Sequence, residues 1–139
     1  MQRALGYWES KRGGRLMPRR SDLDPAEIRE LLPNLLLIDV LHEPRDFRYR
    51  LIGTGIVSRL ARDYTGHCFS EFPQQREGSC IWQSYVRTVS DRRPHYSDIP
   101  YVGPDRYVRQ FQDLQMPLSE DGETVNMVFT YAAFERIVG

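Results

Sequence analysis

The most reactive side chains in this sequence are two cysteines, Cys68 and Cys80, and three histidines, His42, His67 and His95. A thiol becomes a nucleophile when a nearby base or cation draws off its proton. His67 directly precedes Cys68, but adjacent side chains rarely point at one centre. No two histidines stand four residues apart, the spacing that would bring two rings onto one helix face to share a zinc ion. Cys80 borders an apolar run, where a thiol ordinarily packs as a small apolar group. There is no G-x-S-x-G nucleophile elbow, and the acidic residues show no spacing that marks an acid–base couple. The expectation is a chain without catalytic residues and without a metal site.

The elements that must position any site are organised around Phe47–Phe72, FRYRLIGTGIVSRLARDYTGHCFSEF. From Phe47 to Leu51 apolar residues alternate with Arg48 and Arg50, a two-residue period that predicts a half-buried strand. Gly53 and Gly55 interrupt it, and glycine's backbone freedom predicts a sharp change of direction there. Ile56, Val57 and Leu60 then recur at helical spacing, with Arg59, Arg62 and Asp63 opposite. Gly66 permits a further turn, Phe69 and Phe72 supply large apolar groups, and Pro73 ends the segment.

Upstream, Arg3 to about Lys11 predicts a short amphipathic helix with Leu5 and Trp8 as anchors, weakened by Gly6. Arg12–Arg20 is basic and glycine-containing, and predicts an exposed linker. Asp24 as cap, Pro25 at the first helical position and Glu27 as capping-box partner predict a helix carrying Ile28, Leu31 and Leu32, stopped by Pro33. Leu35–Leu41 is a nearly continuous apolar run, a strand buried on both faces. With a turn at His42–Asp46, it predicts an antiparallel hairpin into the Phe47 strand. Gln75–Arg92 predicts the longest helix, with Ile81, Trp82, Tyr85, Val86 and Val89 on one face and Pro94 beyond its end. His95–Val102, Tyr107–Leu118 and Val125–Phe134 predict three strands, with Asp121-Gly122 turning the last hairpin. Strands grouped at both ends with helices between predict an α+β domain with a five-stranded antiparallel sheet.

At 139 residues one domain is expected, large enough to bury a little under about 70% of the surface its unfolded chain exposes. A 40% apolar and 12% aromatic composition argues against disorder. The formal net charge is zero and the pI is near 6.8, so no general electrostatic attraction to nucleic acid or an anionic membrane is expected. No signal-peptide pattern and no membrane-spanning run occur. A cytoplasmic protein with reduced thiols is the expectation.

Three features together resemble the PAS domain family, in its compact bacterial stand-alone form. They are FRYRLIGTGIV followed by a DYTG turn, the long helix from Gln75, and the terminal hairpin MPLSEDGETVNMVF, which carries the PL-x-x-DG element that joins the last two strands in such domains. The resemblance covers roughly Leu35 to Phe134, giving a PAS-like domain over 35–139 behind an N-terminal helical extension over 1–34. It implies a sensory or regulatory module, non-enzymatic, whose sheet and crossing helices hold a small ligand or cofactor or mediate dimerisation. Flavin-binding photosensors of the family carry a G-x-N-C-R-F-L-Q run. Here Gly66-His67-Cys68-Phe69 sets the thiol one residue early and lacks the Asn, Arg and Gln neighbours. Haem-binding versions use a histidine on the long helix, and Gln75–Arg92 has none, His95 lying just past its end. The cofactor is therefore unknown.

The apolar residues expected to meet between sheet and helices are Tyr49, Leu51, Ile56, Leu60, Phe69, Ile81, Tyr85, Phe111, Met127 and Phe129, for most of which ordinary core is the commoner role. A pocket differs from core by incomplete filling and a few convergent polar groups, for which Arg50, Thr54, His67 and Tyr131 are the candidates. Arg50 would suit a carboxylate or phosphate. The expected partners are a second copy, docked through the N-terminal helix with Leu5, Tyr7 and Trp8, and a separate signalling protein, since no output segment is attached. On that reading Trp8→Ala loosens self-association with little effect on the fold. The competing reading is a small α+β cone-shaped pocket enzyme or ligand-sequestering protein, which requires an ionisable pair inside the cavity.

Overall fold

A computed structural model describes residues 1–60, 62–100 and 108–136. The chain runs through helix α1 (Gln2–Arg12), two 3-10 segments (Arg20–Asp22 and Pro25–Asn34), strands β1 (Leu35–His42) and β2 (Arg45–Ile52), and helix α2 (Thr54–Val57). A 3-10 turn (Phe69–Glu71), helix α3 (Cys80–Asp91) and strands β3 (His95–Pro100), β4 (Val108–Leu118) and β5 (Met127–Arg136) complete it. The five strands form a single sheet in the order β2-β1-β5-β4-β3, and every neighbouring pair is antiparallel. The two end groups of strands thus meet where β1 pairs with β5, Leu37 opposite Phe129.

Several element boundaries move for local reasons. α3 begins at Cys80 rather than near Gln75, because Gly78 sits at φ +95 and Ser79 behind it caps the helix, accepting from Trp82 N at 3.2 Å. Arg92 closes α3 in a left-handed conformation. Asp24 caps its segment as expected, accepting from Ala26 N at 3.0 Å. The helix that follows is nonetheless of the tighter 3-10 kind, and Ile28 departs from helical angles at φ −133. Glu27 takes no capping role; it accepts from Tyr7 Oη at 2.9 Å and pairs with Lys11. The Gln2–Arg12 helix, the hairpin and the Asp121-Gly122 turn, with Gly122 at φ +83, stand where the sequence puts them. Residues 101 to 107 of the two preceding strand expectations lie outside the described residues.

Both faces of the sheet are covered. On one face Tyr85 of α3 bonds Thr130 of β5 at 2.8 Å and Thr88 bonds Gln115 of β4 at 2.9 Å. Strand alternation turns Leu114, Met116 and Leu118 to the opposite face, yet each is fully buried. The cover there is the N-terminal segment: Ala4, Tyr7, Trp8, Met17, Leu23, Ile28 and Leu31 belong to the same apolar cluster as the strands. Trp8 Nε1 donates to the Pro117 carbonyl at 2.9 Å, Ser119 N donates to the Pro18 carbonyl at 3.0 Å, and Asn34 Nδ2 donates to the Ala132 carbonyl at 3.1 Å. Arg12–Arg20 is therefore no loose linker: Met17 and Pro18 are buried within it and Arg15 pairs with Asp22 at 2.7 Å. Tyr7 and Trp8 face inward, so neither is a free surface for a second copy.

Gly53 and Gly55 do their work through space rather than backbone angle. Gly53 has an ordinary φ of −61, and its N–H donates to the Leu35 carbonyl at 2.7 Å. A Cβ there would overlap the backbone carbonyls of Leu32 and Pro33, and one at Gly55 would lie 2.9 Å from the Pro33 oxygen. The corner after β2 is pressed against the end of the N-terminal segment. Gly53→Ala is expected to lower the melting temperature by several degrees, since overpacking of this kind costs roughly 1–3 kcal/mol. Trp8→Ala should lower it further, because emptying a buried indole site costs about 3–5 kcal/mol. Thermal denaturation followed by circular dichroism measures both, and an unshifted transition in Trp8→Ala would contradict the inward packing.

Candidate functional site

The face of the sheet beneath α3 carries an incompletely filled space. On β2, alternation sends Phe47 and Tyr49 to that face, opposite Val40 and Ile38 of β1. Phe47 packs against Phe69, Trp82 and Tyr85 with ring centroids 5.3, 5.0 and 5.6 Å away, and Tyr49 packs against Phe69 at 4.9 Å and Tyr64 at 5.7 Å. The segment from Tyr64 to Phe72 is held to the sheet edge, where Tyr49 N donates to the His67 carbonyl at 3.0 Å and Gly66 N to the Tyr49 carbonyl at 2.7 Å. This aromatic block is solid core. Beside it, toward Ile99 and Phe111, lies a cavity of about 350 Å³, within the range of small-molecule sites.

The cavity wall is chiefly apolar. Leu36, Ile56, Leu60, Ile81, Ile99, Phe111 and Ala132 supply it, with Tyr49, Tyr64, Gln74, Gln75, Cys80, Tyr85 and Asp113 as its polar members. Tyr49 Oη donates to Gln75 Oε1 at 2.8 Å, and the Tyr85 hydroxyl meets Thr130. Burial pushes both phenol groups further from ionisation. Asp113 differs in kind. The residue is 6% exposed, and burial raises its pKa to about 7, a rise only partly opposed by a hydrogen bond from the Gln115 side chain. Gln115 belongs to a polar belt under α3: its Nε2 donates to Ser84 Oγ at 2.9 Å, Ser84 Oγ donates to the Ile81 carbonyl at 2.7 Å, and Thr88 Oγ1 donates toward Gln115 Oε1.

Of the residues expected to line a pocket, Tyr49, Ile56, Leu60, Ile81, Tyr85 and Phe111 stand together in this wall. Phe69 is fully buried in the aromatic block behind it. His67 lies at the protein surface, its Nδ1 3.1 Å from Glu71. Arg50 points away from the cavity and pairs with Asp39 at 2.8 Å, which also takes Arg48 at 3.0 Å. The ladder slips between Leu37 and Ile38, leaving Arg50 without an opposite residue. That bulge reverses the alternation and puts Leu51 outside, 49% exposed. On β5 the inward residues are Val128, Thr130 and Ala132, as the Tyr85–Thr130 bond fixes, so Met127, Phe129 and Tyr131 belong to the other face. Leu51, Thr54 and Phe129 line a second space of about 480 Å³ on that face, between the sheet and the Leu23–Pro33 stretch. Asp113, Gln75, Tyr64 and Cys80 are wall residues that periodicity did not find.

Among the described residues no group of three His, Cys, Asp or Glu could hold a metal ion, and His95 Nε2 pairs with Asp91 at 2.8 Å. Both thiols are free, and burial raises the pKa of Cys68, which favours its protonated form.

A family model described as "PAS domain" matches residues 1–128. Among solved structures, the crystal structure of a sensory box sensor histidine kinase from Vibrio cholerae is similar, with a TM-score of 0.55 and 18% identity, covering 81% of this chain and 90% of that one. At that identity the likeness is one of fold. No curated protein matches.

Asp113 predicts a pH dependence. Below about pH 4 both folded and unfolded chains hold its proton. Between its ordinary value of 3.8 and about 7 the folded chain keeps a proton that the unfolded chain has lost, so stability falls as pH rises through this window and levels off above it. Asp113→Asn should flatten that part of the profile and raise stability at pH 8 by a few kcal/mol, on the order of 1.4 kcal/mol per pKa unit. Urea denaturation of both proteins from pH 4 to 8 measures the difference, and parallel profiles would contradict it.

Proposed function

Because the chain belongs to the PAS domain family, we propose that it is a sensory or regulatory module which binds a small, mainly apolar ligand in the cavity between α3 and the sheet. One observation carries the reading: an incompletely filled space of about 350 Å³ beside the Phe47–Phe69–Tyr85 aromatic block, with a buried carboxyl in its wall. A ligand can shift such a protein only by its differential affinity for two states. Here the two states would differ in the seating of α3 against β4 and β5, where the Ser84–Thr88–Gln115 belt and the Tyr85–Thr130 bond join them. Output would pass to a second copy or to a separate signalling protein, in the cytoplasm. A homodimer through the N-terminal helix would use the outward side of α1, where Gln2, Arg3, Gly6, Glu9 and Ser10 are exposed.

A pocket enzyme needs two ionisable groups converging in the cavity. Asp113 is the single carboxylate in the described wall, and the Tyr49 and Tyr85 hydroxyls are driven away from ionisation, which favours the non-enzymatic reading.

Native mass spectrometry of the gently purified chain is expected to show a small-molecule adduct, or a metabolite panel to raise the melting temperature. Ala132→Leu, which fills the cavity from β5, should abolish either effect while keeping the fold. A bare-chain mass together with no thermal shift across the panel would overturn ligand sensing.

A further inference from the structure

The wall of the cavity holds a carboxyl whose hydrogen-bonding capacity is mostly unused among the described residues. Asp113 sits in mid-β4, between Ser97 of β3 and Ala132 of β5, and it is more than nine-tenths buried. A carboxylate can accept about four hydrogen bonds, whereas this one meets the side chain of Gln115. The titratable groups that share the cavity with it are Tyr85 and Cys80 from α3, Tyr49 from β2 and Tyr64 from the connecting segment. None of them is a cation, and Tyr49 and Tyr85 already spend their hydroxyl contacts on Gln75 and Thr130. Among the described residues this buried acid has no charged partner, a poor choice for stability, because an apolar residue of similar size costs less to bury. The space around it is lined by Ile56, Leu60, Ile81 and Phe111.

We propose that the cavity takes an apolar, ring-bearing ligand that carries a protonated nitrogen, an arylalkyl amine by chemical class. Its ammonium group meets the Asp113 carboxylate and its ring lies among Ile56, Leu60, Ile81 and Phe111. The inference rests on the reading that the cavity is a ligand site and names the chemistry of what enters it. Two consequences follow from charge. A neutral ligand of equal shape cannot offset the buried carboxylate, so it binds less tightly. The cation also draws the proton from Asp113, so binding releases a proton below about pH 7 and affinity rises with pH by about tenfold between pH 6 and pH 8.

Isothermal titration of the whole chain with phenethylamine and with 2-phenylethanol, which is uncharged and of the same shape, tests this. The expected result is at least tenfold tighter binding of the amine, rising about tenfold from pH 6 to pH 8, and loss of both the preference and the pH dependence in Asp113→Asn. Equal affinity for the two probes, or a preference that survives in Asp113→Asn, would overturn the inference while leaving the cavity a ligand site. Binding of neither probe would overturn the inference, and with no adduct and no thermal shift in the metabolite experiment the ligand-site reading falls too. If Asp113→Asn fails to fold, the comparison of the two probes and the pH profile of the unaltered chain decide alone.

Discussion

The structure depends on keeping both faces of one five-stranded sheet dry. A sheet that buries a single face reads as alternating apolar and polar residues, whereas a sheet covered on both faces has to be apolar at nearly every position of its central strands. β1 meets that demand from Leu35 to Val40, all of them buried. The chain then needs two covers, and it draws them from different parts of its length. The α3 face is closed by the segments between β2 and β3, and the opposite face by the first thirty-four residues. Gly53 pins the two systems together where the corner after β2 meets the carbonyls of Leu32 and Pro33, so the hairpin and the N-terminal cover cannot move apart independently.

Double coverage explains what could be read in advance. Element order, the hairpin and the closing turn were legible because they rest on local signals: a two-residue period, a proline after a helix, an Asp-Gly pair. Which side of a strand meets the cavity was not. In β5 the alternate sets Val128–Thr130–Ala132 and Met127–Phe129–Tyr131 are both largely apolar, and only the Tyr85 hydroxyl on Thr130 settles which one faces α3. In β4 the apolar set Leu114–Met116–Leu118 looks like the pocket side, and Asp113 and Gln115 look like solvent. The reverse holds, because the N-terminal segment makes a hydrophobic environment of the outer face. Leu51 was misplaced by one unpaired residue, Arg50, and no composition rule announces such a slip. Six of the cavity residues were still found: Tyr49, Ile56, Leu60, Ile81 and Tyr85 come from positions where a single face carries the apolar signal or where a helix points to the sheet, and Phe111 is the large apolar residue on the strand face it shares with Asp113 and Gln115.

The polar residues under α3 are a second consequence. Gln115, Ser84 and Thr88 satisfy one another, so they occupy the interior at little cost and fix how α3 sits on β4. Asp113 stands two residues along the same strand face, where the belt supplies one donor and then ends. The step from a satisfied amide to an under-supplied carboxyl marks the boundary between packed core and cavity.

The far end of β4 gives the sheet one more property. β3 pairs with β4 only as far as Gln115, and beyond it the Pro117 carbonyl takes the Trp8 indole in place of a strand. Asp113 and this anchor lie on one strand, four residues apart, about 13 Å at the usual strand rise. The 113–117 stretch of β4 is thus a short tie-rod with an acid at one end and the hold on the first helix at the other. Gln115, between the two, is tied to Thr88 and Ser84 of α3, so a shift of the rod along its length would be felt at the amino-terminal helix and at α3 together.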